Sequence, residues 1–184
     1  VGGNVIVSRQ LIIYSPAGIV SAAAPVRRAT KRLAALGFDA SVDASALTKH
    51  QRFAGDDATR LDAIHRVADA APAVALATRG GYGLSRLLDT LDWKRISASV
   101  DKGTAWVGYS DVTALQLAAL AHKATGPAKP GEGVSAGFWA GPMACDDFGR
   151  DDSPEGGDDV TQDCFVEAMT GELEAVGFRT EVGF

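Results

Sequence analysis

Three short apolar runs, Gln10-Leu11-Ile12-Ile13-Tyr14, Val74-Ala75-Leu76-Ala77 and Ala105-Trp106-Val107-Gly108, are each followed by a glycine-bearing turn and later by a segment with helical apolar spacing. Runs this short and apolar read as strands buried on both faces, and they lie too far apart for hairpins. Helical crossovers are the remaining connection. The chain is therefore predicted to be an α/β fold, a mostly parallel sheet flanked by helices with Rossmann- or flavodoxin-like layering. The loops at 15–18, 79–83 and 108–111 all leave strands. In such a sheet they gather at one edge, where ligands bind.

The helices have their own signals. Val26, Ala29, Leu33 and Leu36 share a helical face, with Pro25 tolerated in the first turn and Gly37 as the stop. A strand follows at 38–42. Asp56 or Asp57 caps a helix carrying Leu61, Ile64, Val67 and Ala68. Leu84, Leu87, Leu88 and Leu91 form one further helical stripe, and Val112 to Leu120 another. Phe138-Trp139-Ala140 is a short apolar piece, residues 126–131 a loop, 160–169 a last helix stopped near Gly171, and 178–182 the start of a strand.

Composition narrows the partners. The 184 residues suffice for one domain with a real core, and the net charge is −5. Residues 146–159 hold seven acids against Arg150 alone, so the rest of the chain sums to +1. No basic stripe tracks a phosphate backbone, which argues against nucleic acid, and no apolar run is long enough for a membrane span. Cys145 and Cys164 are too widely spaced for a close metal or redox motif. They either pair or stay free, and free thiols in a reducing compartment are the expectation. No export signal is visible at the start.

Val107-Gly108-Tyr109-Ser110-Asp111-Val112-Thr113 carries the chemistry. A serine where a strand turns into a helix is pushed outward beside the helix's first amides, which makes Ser110 a candidate nucleophile. The same position is also that of an N-cap, which contributes stability and no catalysis. Val112, two residues after the serine, is larger than the usual hydrolase elbow admits, which argues against an ordinary lipase or esterase. A serine nucleophile needs a base, and three histidines are available. His122 is twelve residues beyond Ser110 on one expected helix, a rise of roughly 18 Å, and cannot reach it. His65 falls mid-helix and His50 on a loop, so the triad is incomplete within these residues. Arg79-Gly80-Gly81-Tyr82-Gly83 is open to three readings: a tight turn, an anion cradle or half of an oxyanion hole. It fits neither the P-loop nor the dinucleotide fingerprint.

Taken together, Arg79-Gly80-Gly81-Tyr82-Gly83 with Arg86-Leu87-Leu88 and Leu91-Asp92, then Gly108 to Leu115, then Gly141-Pro142-Met143, resemble the LD-carboxypeptidase family, which includes the microcin-immunity peptidases. Ser15-Pro16 and Ala54-Gly55-Asp56-Asp57 with Arg60 and Leu61 match in order upstream. The resemblance covers most of residues 10–148 and corresponds to the family's N-terminal domain. It implies a cytoplasmic serine peptidase without cofactor or metal, releasing D-alanine from the L,D-bond of murein tetrapeptide during cell-wall recycling. By position Ser110 is the implied nucleophile, and Asp111 with Gly80 or Gly81 the implied oxyanion donors. A homodimer is the implied assembly.

Two departures stand out. Ala140 replaces the histidine that the family often carries before Gly-Pro-Met, and the family's catalytic glutamate and histidine belong to a C-terminal domain. The expected organisation is an N-terminal α/β domain over 1–145, an acidic loop over 146–159 and, over 160–184, the start of a connection to that domain. On this reading the 184 residues form a fragment that hydrolyses substrate negligibly. The alternatives are an immunity-type peptidase acting on a peptidyl-nucleotide toxin and a non-enzymatic domain that binds a small ligand or sugar phosphate.

Overall fold

The computed structural model describes residues 9–124, 136–151 and 159–173. Strands β1 (Arg9–Tyr14), β2 (Phe38–Val42), β3 (Val74–Ala77), β4 (Ala105–Gly108) and β5 (Gly137–Ala140) form one sheet in the order β2-β1-β3-β4-β5. Every pairing is parallel, as the spacing of the apolar runs requires. Helices α1 (Ala23–Ala35), α2 (Asp57–Ala70), α3 (Trp93–Asp101), α4 (Val112–Ala121) and α5 (Asp159–Thr170) cover the sheet.

Alternation along the central strands divides the core. Leu11, Ile13, Leu76 and Val107 pack with Leu33 of α1, Phe148 and Phe165 of α5. Tyr14, Ala75, Ala77 and Trp106 face the other way, against Ile64 of α2, Ile96 of α3 and Leu115 of α4. Each large aliphatic side chain so buried contributes about 1.5–3 kcal/mol, and the two layers together fix the register that aligns the strand ends. The order places β1 beside β3, so the chain winds away from that pair in both directions. This is the crevice position at which a doubly wound sheet receives ligands.

The helix starts follow their caps. Asp56 is the residue that caps α2, accepting the Thr59 amide at 2.8 Å. Asp92 caps α3 by accepting from the amides of Lys94 and Arg95. Helix α1 ends before Gly37, and α5 is followed by Gly171, both at positive φ.

The single helix expected across Leu84 to Leu91 is corrected. Two 3₁₀ turns, Leu84–Arg86 and Leu88–Thr90, take its place, and Leu91 is extended at ψ 133°. The spacing of three between Leu84 and Leu87 suits a three-residue turn, and both leucines reach the core without a full helix. Helix α3 was not expected, because its apolar pair Ile96 and Val100 is separated by serines and alanine. Buried Ser99 resolves the polarity: its hydroxyl bonds the Ile96 carbonyl and accepts from the Trp106 indole at 3.0 Å. The apolar piece at 138–140 is part of the edge strand β5.

A π-helical turn, Ala144–Phe148, leads into the acidic segment that starts at Asp146, and its Phe148 is buried. Residues 152–158 of that segment, the expected loop at 126–131, and the expected strand and connection from 174 onward lie outside the described residues. Among the described residues no helix is long and apolar enough to cross a membrane.

Candidate functional site at the carboxyl edge of the sheet

Strand β4 ends at Gly108, and two residues later Ser110 takes a φ of +61° before α4 begins. A residue with a side chain held in this left-handed region costs about 1–3 kcal/mol, so the surroundings must impose it. Gly108 makes room for the turn. A β-carbon there would lie 3.0 and 3.1 Å from the Val112 methyls and 3.2 Å from the Ala77 β-carbon. The space that other elbows gain from a small residue after the serine is gained here four positions earlier, which is why a buried valine fits.

The serine is not a helix cap. Asp111 occupies the N-cap position with φ −60° and ψ −25°, and the Ser110 carbonyl accepts the Thr113 amide at 3.0 Å. Ser110 is exposed, and its hydroxyl has no hydrogen-bond partner among the described residues. The Asp111 carboxylate leaves its own helix and accepts the Leu84 amide at 3.0 Å, tying the serine turn to the glycine loop.

That loop is built against the serine. Gly80 is buried, and a β-carbon on it would lie 2.8 Å from both Cβ and Oγ of Ser110 and 3.4 Å from the Asp111 nitrogen. Gly81, at φ +127°, is exposed and turns toward Gly18 instead. The Gly18 amide donates to the Gly80 carbonyl at 3.0 Å, so the loop after β1 fixes the loop after β3. Among the described residues the amides of Gly80, Gly81 and Asp111 donate no hydrogen bond. Ser110, Asp111 and Gly80 are thus brought together, and Gly81 adjoins them.

A buried guanidinium holds the far side of the loop. Arg60 of α2 has no solvent exposure; it donates to the carbonyls of Pro16 and Gly83, both at 3.1 Å, and to Asp57. Its charge lies over the Phe53 ring, 4.8 Å from the centroid. Asp57 is shared with Arg86, which grips it with Nε and Nη2. Exposed Tyr82 and Tyr109 stand on the rim. The Tyr109 phenol is pushed above its ordinary value by burial first, then by the charges of Asp147 and Asp146.

The histidines are otherwise engaged. His122 ends α4 and stacks on Trp93 with ring centroids 4.6 Å apart. His65 accepts the Asp92 amide at 3.0 Å. His50 pairs through its backbone with Phe53 and lines a polar pocket with Asp56, Asp57 and Arg86. Both cysteines are free. Sequence reasoning had assigned no role to Gly18, to Arg60 beyond its place in a motif, or to the Asp111 carboxylate. The available signal was weak: an arginine within the otherwise apolar face of α2, three residues after an aspartate.

Comparisons with known proteins identify the family and the fold. The family described as the LD-carboxypeptidase N-terminal domain matches residues 11–126. The murein tetrapeptide carboxypeptidase of Pseudomonas aeruginosa is 30% identical over 131 residues, covering 68% of this chain and 41% of that protein. The muramoyltetrapeptide carboxypeptidase of Oxalobacter formigenes has 30% identity and a TM-score of 0.68, covering 88% of this chain and 48% of that one. The microcin C7 self immunity protein MccF, solved in complex with aspartyl sulfamoyl adenosine, shares the fold with a TM-score of 0.73 at 20% identity, covering 96% and 46%. This chain therefore spans less than half the length of each of these relatives. With its parallel sheet, its serine turn and the matched segment covering most of the described residues, the chain belongs to the LD-carboxypeptidase family.

Proposed function

We propose that this chain supplies the nucleophile and oxyanion half of a serine peptidase that releases D-alanine from the L,D-peptide bond of murein tetrapeptide. The observation that carries the reading is the strained, exposed, unbonded Ser110 hydroxyl packed on Gly80 beside unused backbone amides. The substrate class follows the two carboxypeptidase relatives at 30% identity.

In this mechanism Ser110 Oγ adds to the carbonyl carbon of the scissile bond while a base takes its proton. The Asp111 amide, with that of Gly80 or Gly81, receives the oxyanion. Collapse of the tetrahedral adduct breaks the carbon–nitrogen bond, and the base returns its proton to the departing D-alanine nitrogen. Water then hydrolyses the acyl-serine. Among the described residues no histidine or carboxylate hydrogen-bonds to Ser110, so the base and its orienting acid are assigned to the portion of the relatives' length that this chain does not span. These 184 residues alone are accordingly expected to turn over negligibly.

The test is binding followed by isotope-resolved amide NMR. Titration with L-Ala-γ-D-Glu-meso-diaminopimelate-D-Ala is expected to shift the amides of Gly80, Gly81, Ser110 and Asp111, and the D-alanine epimer is expected to bind more tightly than the L. Shifts induced there by a sugar phosphate and not by the peptide would replace this reading with a small-ligand binding domain. In a chain extended to the length of the relatives, D-alanine release that persists unchanged in Ser110→Ala would remove the serine from the mechanism.

A further inference from the structure

Arg79 precedes Gly80 and is unlike the other rim cations. Arg28 is paired with Asp151 and with the Gly149 carbonyl, Arg150 donates to the Asp146 carbonyl, and Arg60 and Arg86 share Asp57. Arg79 has one long hydrogen bond, from Nη1 to the Ile19 carbonyl at 3.4 Å. Its Nε is buried without a partner, as is that of Arg60, but where Arg60 has Asp57 beside it, no carboxylate lies within ion-pair distance of Arg79 among the described residues.

A guanidinium presents five donors in a planar fork, and Arg79 Nη2 has no hydrogen-bond partner among the described residues and is not enclosed as Nε is, so the fork has donors left for an anion. The matching shape is a carboxylate, which accepts from two nitrogens of the fork at once. Arg79 is also in the right neighbourhood. Its Nε lies 3.4 Å from where a Gly18 β-carbon would sit, and that point is 2.7 Å from the Gly80 carbonyl oxygen. Asp146 links it electrostatically to the serine's rim: burial pushes the Asp146 carboxyl up, Arg79 draws it down, and the same carboxyl acts on Tyr109 beside Ser110.

We infer that Arg79 binds the terminal carboxylate of the peptide whose scissile carbonyl is presented to Ser110, and so restricts the site to chain ends. The inference rests on the serine-peptidase reading above.

The experiment compares the tetrapeptide with the same peptide carrying a C-terminal carboxamide, on the unmodified chain, following the Arg79 Nε–Hε resonance together with the Gly80 and Asp111 amides. The carboxylate form is expected to shift the Arg79 resonance and to bind at least about ten-fold more tightly than the carboxamide, the scale of a charge-assisted hydrogen bond. Arg79→Gln is expected to bring the two affinities together, with its amide spectrum otherwise unchanged. Arg79→Lys keeps the charge without the fork and is expected to fall between.

Equal binding of both peptides with shifts at Gly80 and Asp111 would overturn the role of Arg79 and leave the Ser110 reading in place. No shift at Gly80 or Asp111 with either peptide would overturn both. The carboxamide comparison needs no substitution, so a poorly folded variant does not blunt it.

Discussion

Gly80 and Ser110 are in such close contact that a single β-carbon on the glycine would sit 2.8 Å from both Cβ and Oγ of the serine. The expected outcome of Gly80→Ala is a serine forced from its position, with peptide affinity lowered about ten-fold or more and stability lowered by about 1–3 kcal/mol from overpacking. A double-mutant cycle checks the cause. In a Ser110→Gly background the alanine loses its two closest contacts, and its stability cost should shrink; an undiminished cost would place the strain elsewhere.

Arg60 ties α2 to the loops after β1 and β3 through the Pro16 and Gly83 carbonyls, with Asp57 of the same helix beside its charge. Arg60→Met leaves two buried carbonyls without their donor and a fully enclosed site poorly filled. Urea unfolding is expected to register a loss of about 3 kcal/mol, with Arg60→Lys recovering part of it. A loss below about 1 kcal/mol would mean that the loops are held without this guanidinium.

Acid stability has an identifiable contributor in Asp43. Burial alone would raise its carboxyl, but the Arg66 fork and the Ser45 hydroxyl and amide together outweigh burial and hold it below its ordinary value of 3.8. The native state therefore prefers the charged form. The resulting stabilisation is complete above pH 3.8 and disappears as pH falls through the lower, native value. Unfolding midpoints at pH 6 and pH 3 should differ by less in Asp43→Asn than in the wild type, by about 1 kcal/mol in free energy. An identical pH dependence in the two proteins would assign the acid limb to other carboxylates.

The strands were legible because Leu11 to Tyr14, Val74 to Ala77 and Ala105 to Gly108 are apolar on both faces, a pattern that only a covered sheet explains. Helix α3 was not, since its buried Ser99 reads as surface until Trp106 is brought across to it. Leu84 to Leu91 showed apolar periodicity, yet the extension at Leu91 that Asp92 needs in order to cap α3 breaks any continuous helix. At the site, Ser110 and the glycines were visible from their place after strands. The partnership of Gly18 with Gly80 and the unmet Nε of Arg79 depend on which strands are neighbours, and the linear order of residues does not state that.

Because Gly18, Gly80 and Ser110 follow three adjacent strands whose pairings span distant stretches of chain, no intermediate lacking the β1–β3–β4 ladder holds a receptive pocket. Recognition should thus emerge with closure of the β1–β3–β4 ladder, and ligand-competent molecules during refolding should be counted only among those in which that ladder has formed.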